Sequence, residues 1–319
     1  RSHAMGAGPS GSPNAEGGVA NVAYLKRVQQ TYKRFSKNED RDLALNKLTT
    51  AHIKGWNEAF EAAGVPDNEM TGGVPAAIKS LGGPEKLAKL RQAITDDFSD
   101  IGDMVSMKRV VTKALEVDEL TPAQYHAAQE VYEGVLVANG RKVAQMSADT
   151  RTKFDVLGNL YESQPRLGAR SSQTVARQAY STPLPLAFLA GEMAGITPDT
   201  TVYEPTAGNG ALLIGANPAN VTANELDELR QDNLRAQGAT PTKNDAAAVR
   251  PEKGKYDVVI ANPPFGAMKT ADDHTQVVDV DGYKITKIDH LIAARALEGM
   301  KDDGRAVLIL GADGLAKSE

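Results

Sequence analysis

Tyr256-Asp257-Val258-Val259-Ile260-Ala261-Asn262-Pro263-Pro264-Phe265 is the stretch whose reading decides the fold. Its first six residues, YDVVIA, form a nearly continuous apolar run of strand length, as expected for a strand buried on both faces of a parallel sheet. Two prolines then end the strand, because each fixes φ and neither can donate to a ladder. Working outward, Arg305–Leu310 (RAVLIL) is a second run of this kind, and Thr201-Val202-Tyr203 and Asn220–Asn224 are shorter ones. Helical patterns at Glu225–Gln237 and Ile288–Met300 lie between them. Strands that alternate with helices predict an α/β fold with a doubly wound, Rossmann-like sheet over residues 171–319.

Upstream the pattern is helical. Val22, Leu25 and Val28 begin an i, i+3 repeat, which Leu43, Leu48 and Ile53 continue less regularly. Pro84 opens a helix over Pro84–Leu90, and Thr121-Pro122 opens another over Ala123–Ala138, since proline fits the first helical turn. Gly72-Gly73 and Gly82-Gly83 punctuate two connections. The expectation is an all-helical N-terminal domain over residues 21–165, whose charged residues are solvated helix faces and in which no chemistry is legible. Residues 1–20 (RSHAMGAGPSGSPNAEGGVA) are nearly devoid of large apolar side chains and read as a flexible tail. Arg1-Ser2-His3-Ala4-Met5 within it reads as a tag remnant, so His3 is not taken as a ligand.

The 319 residues are enough for about two domains. Hydrophobic residues make up 41% and charged ones 24%, so a sizeable core can be buried. No stretch approaches the roughly 18 apolar residues of a membrane span. Cysteine is absent, which excludes disulfides, thiolate metal sites and a cysteine nucleophile, and no metal site is expected. A cytoplasmic protein is the plain reading. Net charge is −5; the first 169 residues carry 21 charges of each sign, and the remainder 15 basic against 20 acidic residues. Neither half grips phosphates by net charge alone.

Four pieces carry chemistry. Glu204-Pro205-Thr206-Ala207-Gly208-Asn209-Gly210 follows the first strand and precedes a helical Ala211–Ile214. Its glycines let the backbone approach a ligand at the carboxyl edge of the sheet, though such turns are also common as structure. Asn224-Glu225-Leu226 ends the second run, about 20 residues after the glycine turn. A carboxylate there can accept hydrogen bonds from two ribose hydroxyls, or simply begin an acidic helix terminus. Asp245, followed by Ala246, can accept from an adenine amino group or serve as a turn residue. The fourth piece is decisive. Asn262-Pro263-Pro264-Phe265 presents the Asn262 side-chain oxygen and the Pro263 carbonyl as two rigid acceptors. An exocyclic amine on an aromatic ring is a poor nucleophile, and two acceptors on its hydrogens would pull it toward tetrahedral geometry. Phe265 would stack on the base, worth roughly 1–3 kcal/mol.

With these residues together, the chain resembles the class I methyltransferases that use S-adenosyl-L-methionine, and among them the amino-methylating DNA enzymes. The resemblance spans residues 171–310. It matches Glu204–Gly210 to the cofactor motif, Glu225 and Leu226 to the ribose site, Asp245 and Ala246 to the adenine site, and Asn262–Phe265 to the catalytic loop. Ala179-Tyr180-Ser181-Thr182-Pro183 is similar to the family's segment at the methionine end of the cofactor, which implies roles for Tyr180, Thr182 and Pro183. Asp289-His290 with the helix to Met300, then Gly304–Leu310, resemble its next helix and fifth strand. The wording of residues 178–196 and 289–300 is also similar to methylase modules of phage and plasmid antirestriction proteins of the DarB type, which act in bacterial cells. Implied are DNA as substrate, adenine N6 as target, and protection from restriction.

Departures from the family pattern matter as well. Glu204 stands where aspartate is more usual, and Thr206-Ala207 replaces a small residue and cysteine. The sequence stops just after the fifth strand, so the family's closing hairpin is expected beyond Glu319, and target recognition there or from the helical half. No Gly-Lys-Ser/Thr phosphate loop is present, so a helicase-like partner would also lie elsewhere. Residues Thr270–Thr286 read as a mobile loop, and His274 and His290 as solvent or structural residues. Cytosine N4, ribosomal RNA, a protein glutamine amide, and a non-catalytic docking module remain open alternatives.

Overall fold

A computed structural model describes residues 76–165, 181–270 and 274–311. The expected tail, the repeat beginning at Val22, the Gly72-Gly73 connection and Tyr180 lie outside the described residues.

Five helices come first: α1 (Ala76–Ser80), α2 (Pro84–Asp96), α3 (Met104–Leu115), α4 (Pro122–Ala144) and α5 (Thr150–Glu162). Local chemistry sets their starts. Pro84 and Pro122 occupy first turns, where a missing N–H costs nothing. Asp103 with Ser106, and Thr121 with Gln124, form reciprocal capping boxes, and Asp149 caps α5. Helix α2 runs on to Asp96 and α4 to Ala144, both beyond the expected ends. The reason lies in burial: Leu90 and Ile94 of α2, and Val135, Leu136 and Val137 of α4, are all in the core. Each such side chain contributes roughly 1.5–3 kcal/mol.

The rest of the described chain alternates. Helix α6 (Leu184–Ala194) precedes β1 (Val202–Glu204), a 3₁₀ turn at Ala211–Leu213, β2 (Val221–Ala223) and α7 (Glu228–Ala236). Strand β3 (Tyr256–Ala261), a hairpin of β4 (Val278–Val280) and β5 (Tyr283–Ile285), α8 (Ile288–Leu297) and β6 (Met300–Leu308) complete it. The sheet order is β2-β1-β3-β6 and every pairing is parallel. An isolated parallel bridge from Asn224 to Thr242 extends pairing beyond β2. The fold is thus α/β, with helices on both faces of a parallel sheet. Val202, Val258 and Ile260 join the large core shared with α2–α6, whereas Tyr203, Val259 and Ala296 of α8 pack on the opposite face. The tyrosines Tyr203 and Tyr256 stack there with ring centroids 5.1 Å apart.

A single buried core runs from Ile78 to Ile260, so packing is continuous across the point where the composition changes near residue 165. Helix α4 lies directly on α7. A Cβ on Gly134 would stand 2.4 Å from the side chain of Asn233, so only glycine permits this approach. Arg91 of α2 also reaches α7, donating to Asn233 Oδ1 (2.6 Å) and pairing with Asp232.

The structure corrects several boundaries. Ala211–Leu213 is a short 3₁₀ turn rather than a helix. Helix α8 ends at Leu297 instead of Met300, because Gly299 turns the chain and Met300 begins β6. The polar residues Lys301, Asp302 and Asp303 are tolerated because β6 is the outer strand of the described sheet. The stretch expected as a loop over Thr270–Thr286 contains the β4–β5 hairpin. Asp281 (φ 51°) and Gly282 (φ 87°) form its two-residue turn, which demands positive φ at both positions. Among the described residues, no helix is long and apolar enough to cross a membrane, and no His, Cys, Asp and Glu side chains cluster as a metal site would require.

Asp257 ties three strands at the amino edge of the sheet. Its carboxylate accepts from Lys301 Nζ (2.5 Å) and from the Thr201 backbone N (2.9 Å) and Oγ1 (2.6 Å). These hydrogen bonds, Lys301's first, hold its pKa well below the ordinary 3.8. The folded value lies below the unfolded one, so the stabilisation is complete above 3.8 and is lost as pH falls through the folded value. Asp257→Asn is expected to lower stability near neutral pH, with the gap to the parent closing below about pH 4. Urea unfolding at several pH values checks this; a gap independent of pH would contradict it.

Candidate active site at the carboxyl edge of the sheet

The chain leaves β1 for β2 on one side and returns to β3 on the other, which makes the β1–β3 junction a switch point. Open α/β sheets bind ligands outside the carboxyl ends of their strands at such a place. The segments after β1, β2 and β3 all emerge there: Glu204–Gly210, Asn224–Leu226 and Asn262–Phe265.

The glycine turn is built from backbone hydrogen bonds. Ala207 N donates to Asn224 O (2.8 Å) and Gly210 N to Ala207 O (2.8 Å). Gly208 (φ 54°) and Gly210 (φ 85°) take the left-handed conformation. A Cβ on Gly210 would meet Leu234 at 2.9 Å, whereas one on Gly208 would meet nothing within 4 Å, so open space faces Gly208. Gly208 N donates to Glu225 Oε2 (2.8 Å), and Asp227 N donates to Glu225 Oε1 (2.8 Å). Asp227, not Glu225, caps α7, accepting from Leu229 N and Arg230 N. Glu225 is therefore spare from helix capping, and each of its oxygens keeps a lone pair for a further donor such as a diol. Burial pushes its pKa up, with Arg230 offsetting part of that rise.

Glu204 sits beneath the turn, 2% exposed, and its Oε2 has no hydrogen-bond partner. Burial, and after it the neighbouring Glu225, push its pKa well above the usual carboxylate range. The buried hydroxyl of Thr206 also lacks a partner. A buried polar atom left unpaired typically costs about 1–3 kcal/mol, so a ligand that bonds these atoms would recover that cost.

Asn262 closes the edge beyond β3. Its Nδ2 donates to Thr182 Oγ1 (3.0 Å), which fixes the amide and leaves Oδ1 as a buried acceptor with no partner. Pro263 is buried, and Pro264 and Phe265 are half-buried. Gly311 brackets the Phe265 ring, since a Cβ there would lie 3.6 Å from it. Pro183 supplies the start of α6, so Thr182 stands on the threshold of that helix. Asp245 is exposed and its Oδ1 accepts from Ala247 N (2.9 Å), a turn contact; Ala246 is buried, and Leu226 half-buried.

Asn209 and Asn224, both within motifs read from the sequence, have partners that the sequence did not indicate, and Glu130, Glu133 and Arg230 escaped sequence reasoning altogether. Asn224 spends its whole amide on the site's framework: Nδ2 donates to Pro205 O (2.9 Å) and Asn244 O (2.8 Å), and Oδ1 accepts from Thr242 Oγ1 (2.9 Å) and Asn244 N (2.8 Å). Asn209, 4% exposed, donates from Nδ2 to Glu130 Oε2 (3.2 Å) and Glu133 Oε2 (3.1 Å) and accepts from Asn233 Nδ2 (2.8 Å). Arg230 forks onto Glu130 with two bonds of 2.9 Å. Burial pushes Glu130 up, yet the Arg230 guanidinium holds it below its usual value. A signal for the two glutamates did exist: with Gln129, Glu130 and Glu133 interrupt the largely apolar stretch from Ala127 to Val137 of α4. Asp289 on α8, 1% exposed, was noted only for its resemblance; its Oδ2 accepts from Gly311 N (3.0 Å) and its Oδ1 has no partner.

Compared with known families and curated proteins, the chain matches no family model and no curated sequence.

Proposed function

We propose that this chain is an S-adenosylmethionine-dependent methyltransferase that modifies an exocyclic amine, adenine N6 in DNA. The observation that carries the reading is Asn262 Oδ1, a buried acceptor without a partner, held by Thr182 at the carboxyl end of β3. In this reading the sheet is that of a Rossmann-like methyltransferase. The residues fit the cofactor: open space at Gly208 suits a close backbone approach, Glu225 suits a ribose diol, and the unpaired carboxylate oxygen of Glu204 suits a cationic ligand. Asp245 and Ala246 would border the adenine ring.

Bound there, S-adenosylmethionine supplies an electrophilic methyl group, and its sulfur keeps the electron pair of the broken carbon–sulfur bond. Asn262 Oδ1 and the Pro263 carbonyl accept the two hydrogens of the target amine and localise its lone pair. Phe265 stacks on the base, which must leave its helix to reach the site. The surplus proton of the methylated amine departs to solvent, so no histidine base is required. The Ser181-Thr182-Pro183 segment favours DNA over RNA or a glutamine amide, through its resemblance to adenine-specific DNA enzymes. Phosphate grip would come from a further region or a helicase-like partner.

The test is transfer of labelled methyl groups to unmodified duplex and single-stranded DNA, followed by nucleoside analysis. Label in N6-methyladenine is expected. Label in N4-methylcytosine would move the target, label only in RNA or protein would move the substrate, and no binding of S-adenosylmethionine would leave a docking module. A related expectation concerns Thr182. Removing its hydroxyl in Thr182→Ala frees the Asn262 amide to rotate, which should lower kcat about tenfold, the worth of roughly one hydrogen bond. Thr182→Ser should restore most of it, and equal rates for all three proteins would remove Thr182 from the site.

A further inference from the structure

The sequence offers no chemistry upstream of residue 170, yet α4 reaches the site. Glu133 Oε2 accepts from Ser181 Oγ (2.5 Å) and from Asn209 Nδ2 (3.1 Å). Ser181 precedes Thr182, which holds Asn262. A chain of contacts thus runs from the catalytic loop after β3, through residues 182 and 181, to Glu133 and on to the glycine turn after β1. These contacts border the switch point and involve neither Glu225 nor Asp245.

Charge in this enclosure is one-sided. Arg230, the cation that α7 brings, is committed in a fork to Glu130. Glu133 has only neutral hydrogen-bond partners, Ser181 and Asn209. It stays half-buried, and burial followed by Glu130 raises its pKa, which Arg230 only partly offsets. The unpaired, nine-tenths-buried Glu204 Oε2 lies on the same sheet edge and points independently to a polar ligand there.

We propose that the Glu133 carboxylate receives the ammonium group of the cofactor's amino-acid end, so that helix α4 forms one wall of the cofactor site. The inference rests on the methyl-donor reading and deepens it. Three groups meet at the donor's sulfur. The nucleoside is matched by Glu225 and Asp245, and the methyl faces Asn262. The amino-acid arm is left with the enclosure of Ser181, Glu133 and Asn209. An ammonium group there gains a charge-assisted hydrogen bond to a carboxylate whose hydrogen-bond partners among the described residues are neutral.

The experiment compares two ligands by calorimetric titration of the full chain and its Glu133→Gln variant. S-adenosylhomocysteine carries the amino-acid arm, whereas methylthioadenosine shares the nucleoside and lacks that arm. Glu133→Gln is expected to bind S-adenosylhomocysteine about tenfold more weakly and methylthioadenosine unchanged. An equal loss for both ligands, the mark of a merely structural role, overturns the proposal, and so does no loss for either. Failure of the unaltered chain to bind either ligand would overturn the methyl-donor reading itself.

Should Glu133→Gln not fold, the unaltered chain gives the answer through pH. The groups facing Glu133 are Glu130 on its own helix, Arg230 from α7, Ser181 and Asn209, with His126 acting on Glu130. The ratio of the two affinities should fall on acidification, beginning above the ordinary carboxylate value of 4.5. A His126→Gln control should show the same course. A flat ratio, or a course that His126→Gln abolishes, overturns the assignment.

Discussion

Asn262→Ala is expected to lower methyl transfer about 100-fold or more while leaving S-adenosylmethionine affinity within about twofold. The asymmetry follows from where the side chain points its bonds. Nδ2 is spent on Thr182, and Oδ1 is free only for a substrate hydrogen. An interaction made chiefly in the transition state lowers kcat and kcat/KM together, whereas uniform binding raises KM alone. The alanine variant also removes an orphaned acceptor, so its fold should be no less stable than expected for loss of one hydrogen bond. Rates under saturating DNA, with cofactor affinity and thermal unfolding measured beside them, separate these effects. Unchanged turnover would sink the amine-methylating assignment.

How much of the fold was legible depended on whether local pattern and packing agreed. In β3 they agreed fully: the apolar run YDVVIA and the observed strand Tyr256–Ala261 coincide, because burial on both faces leaves one solution. The start of α4 was legible from Thr121-Pro122, but its last turns were not, since Gly140 weakens the helical pattern and tertiary burial decided the matter. Strand β6 was misjudged for the converse reason, as an outer strand accepts the polar Lys301-Asp302-Asp303 that periodicity rejects. The hairpin was a missed local signal: Asp281-Gly282 between Val280 and Tyr283 is a short-range turn code.

The candidate site divides in the same way. Asn262, Glu225, Glu204 and the glycine turn were readable because each sits at a strand end, where spacing along the chain fixes position in space. Glu225 against Asp227 was ambiguous in sequence, and the cap on α7 resolves it in favour of Asp227. Asp245 remains at the rim with a turn contact. The pairing of the α4 carboxylates was invisible, since Glu130 and Arg230 are a hundred residues apart and only helix packing joins them. What the sequence displayed was a charge on an apolar helix, without its partner.

That partnership carries the largest expected change in stability. Arg230→Ala should destabilise the chain by about 3 kcal/mol, the low end of the cost of removing one member of a buried ion pair. The low end applies because 23% of the Glu130 side chain still meets solvent, although Arg230 is only 9% exposed. The loss is more than one contact. Without the guanidinium, burial and mutual repulsion act on Glu130 and Glu133, three residues apart on one helix face, against only the weaker opposition of Asn209, Ser181 and His126. Both would rise toward protonation, so the variant should recover part of its deficit on acidification, as a carboxyl whose folded pKa is raised favours the folded state at low pH. Glu130→Gln made in the Arg230→Ala background should also recover stability, because the uncompensated charge is then gone. Urea unfolding of the single and double variants measures this. A deficit below about 1 kcal/mol, the range of solvated surface pairs, would show that water and not Arg230 balances these carboxylates.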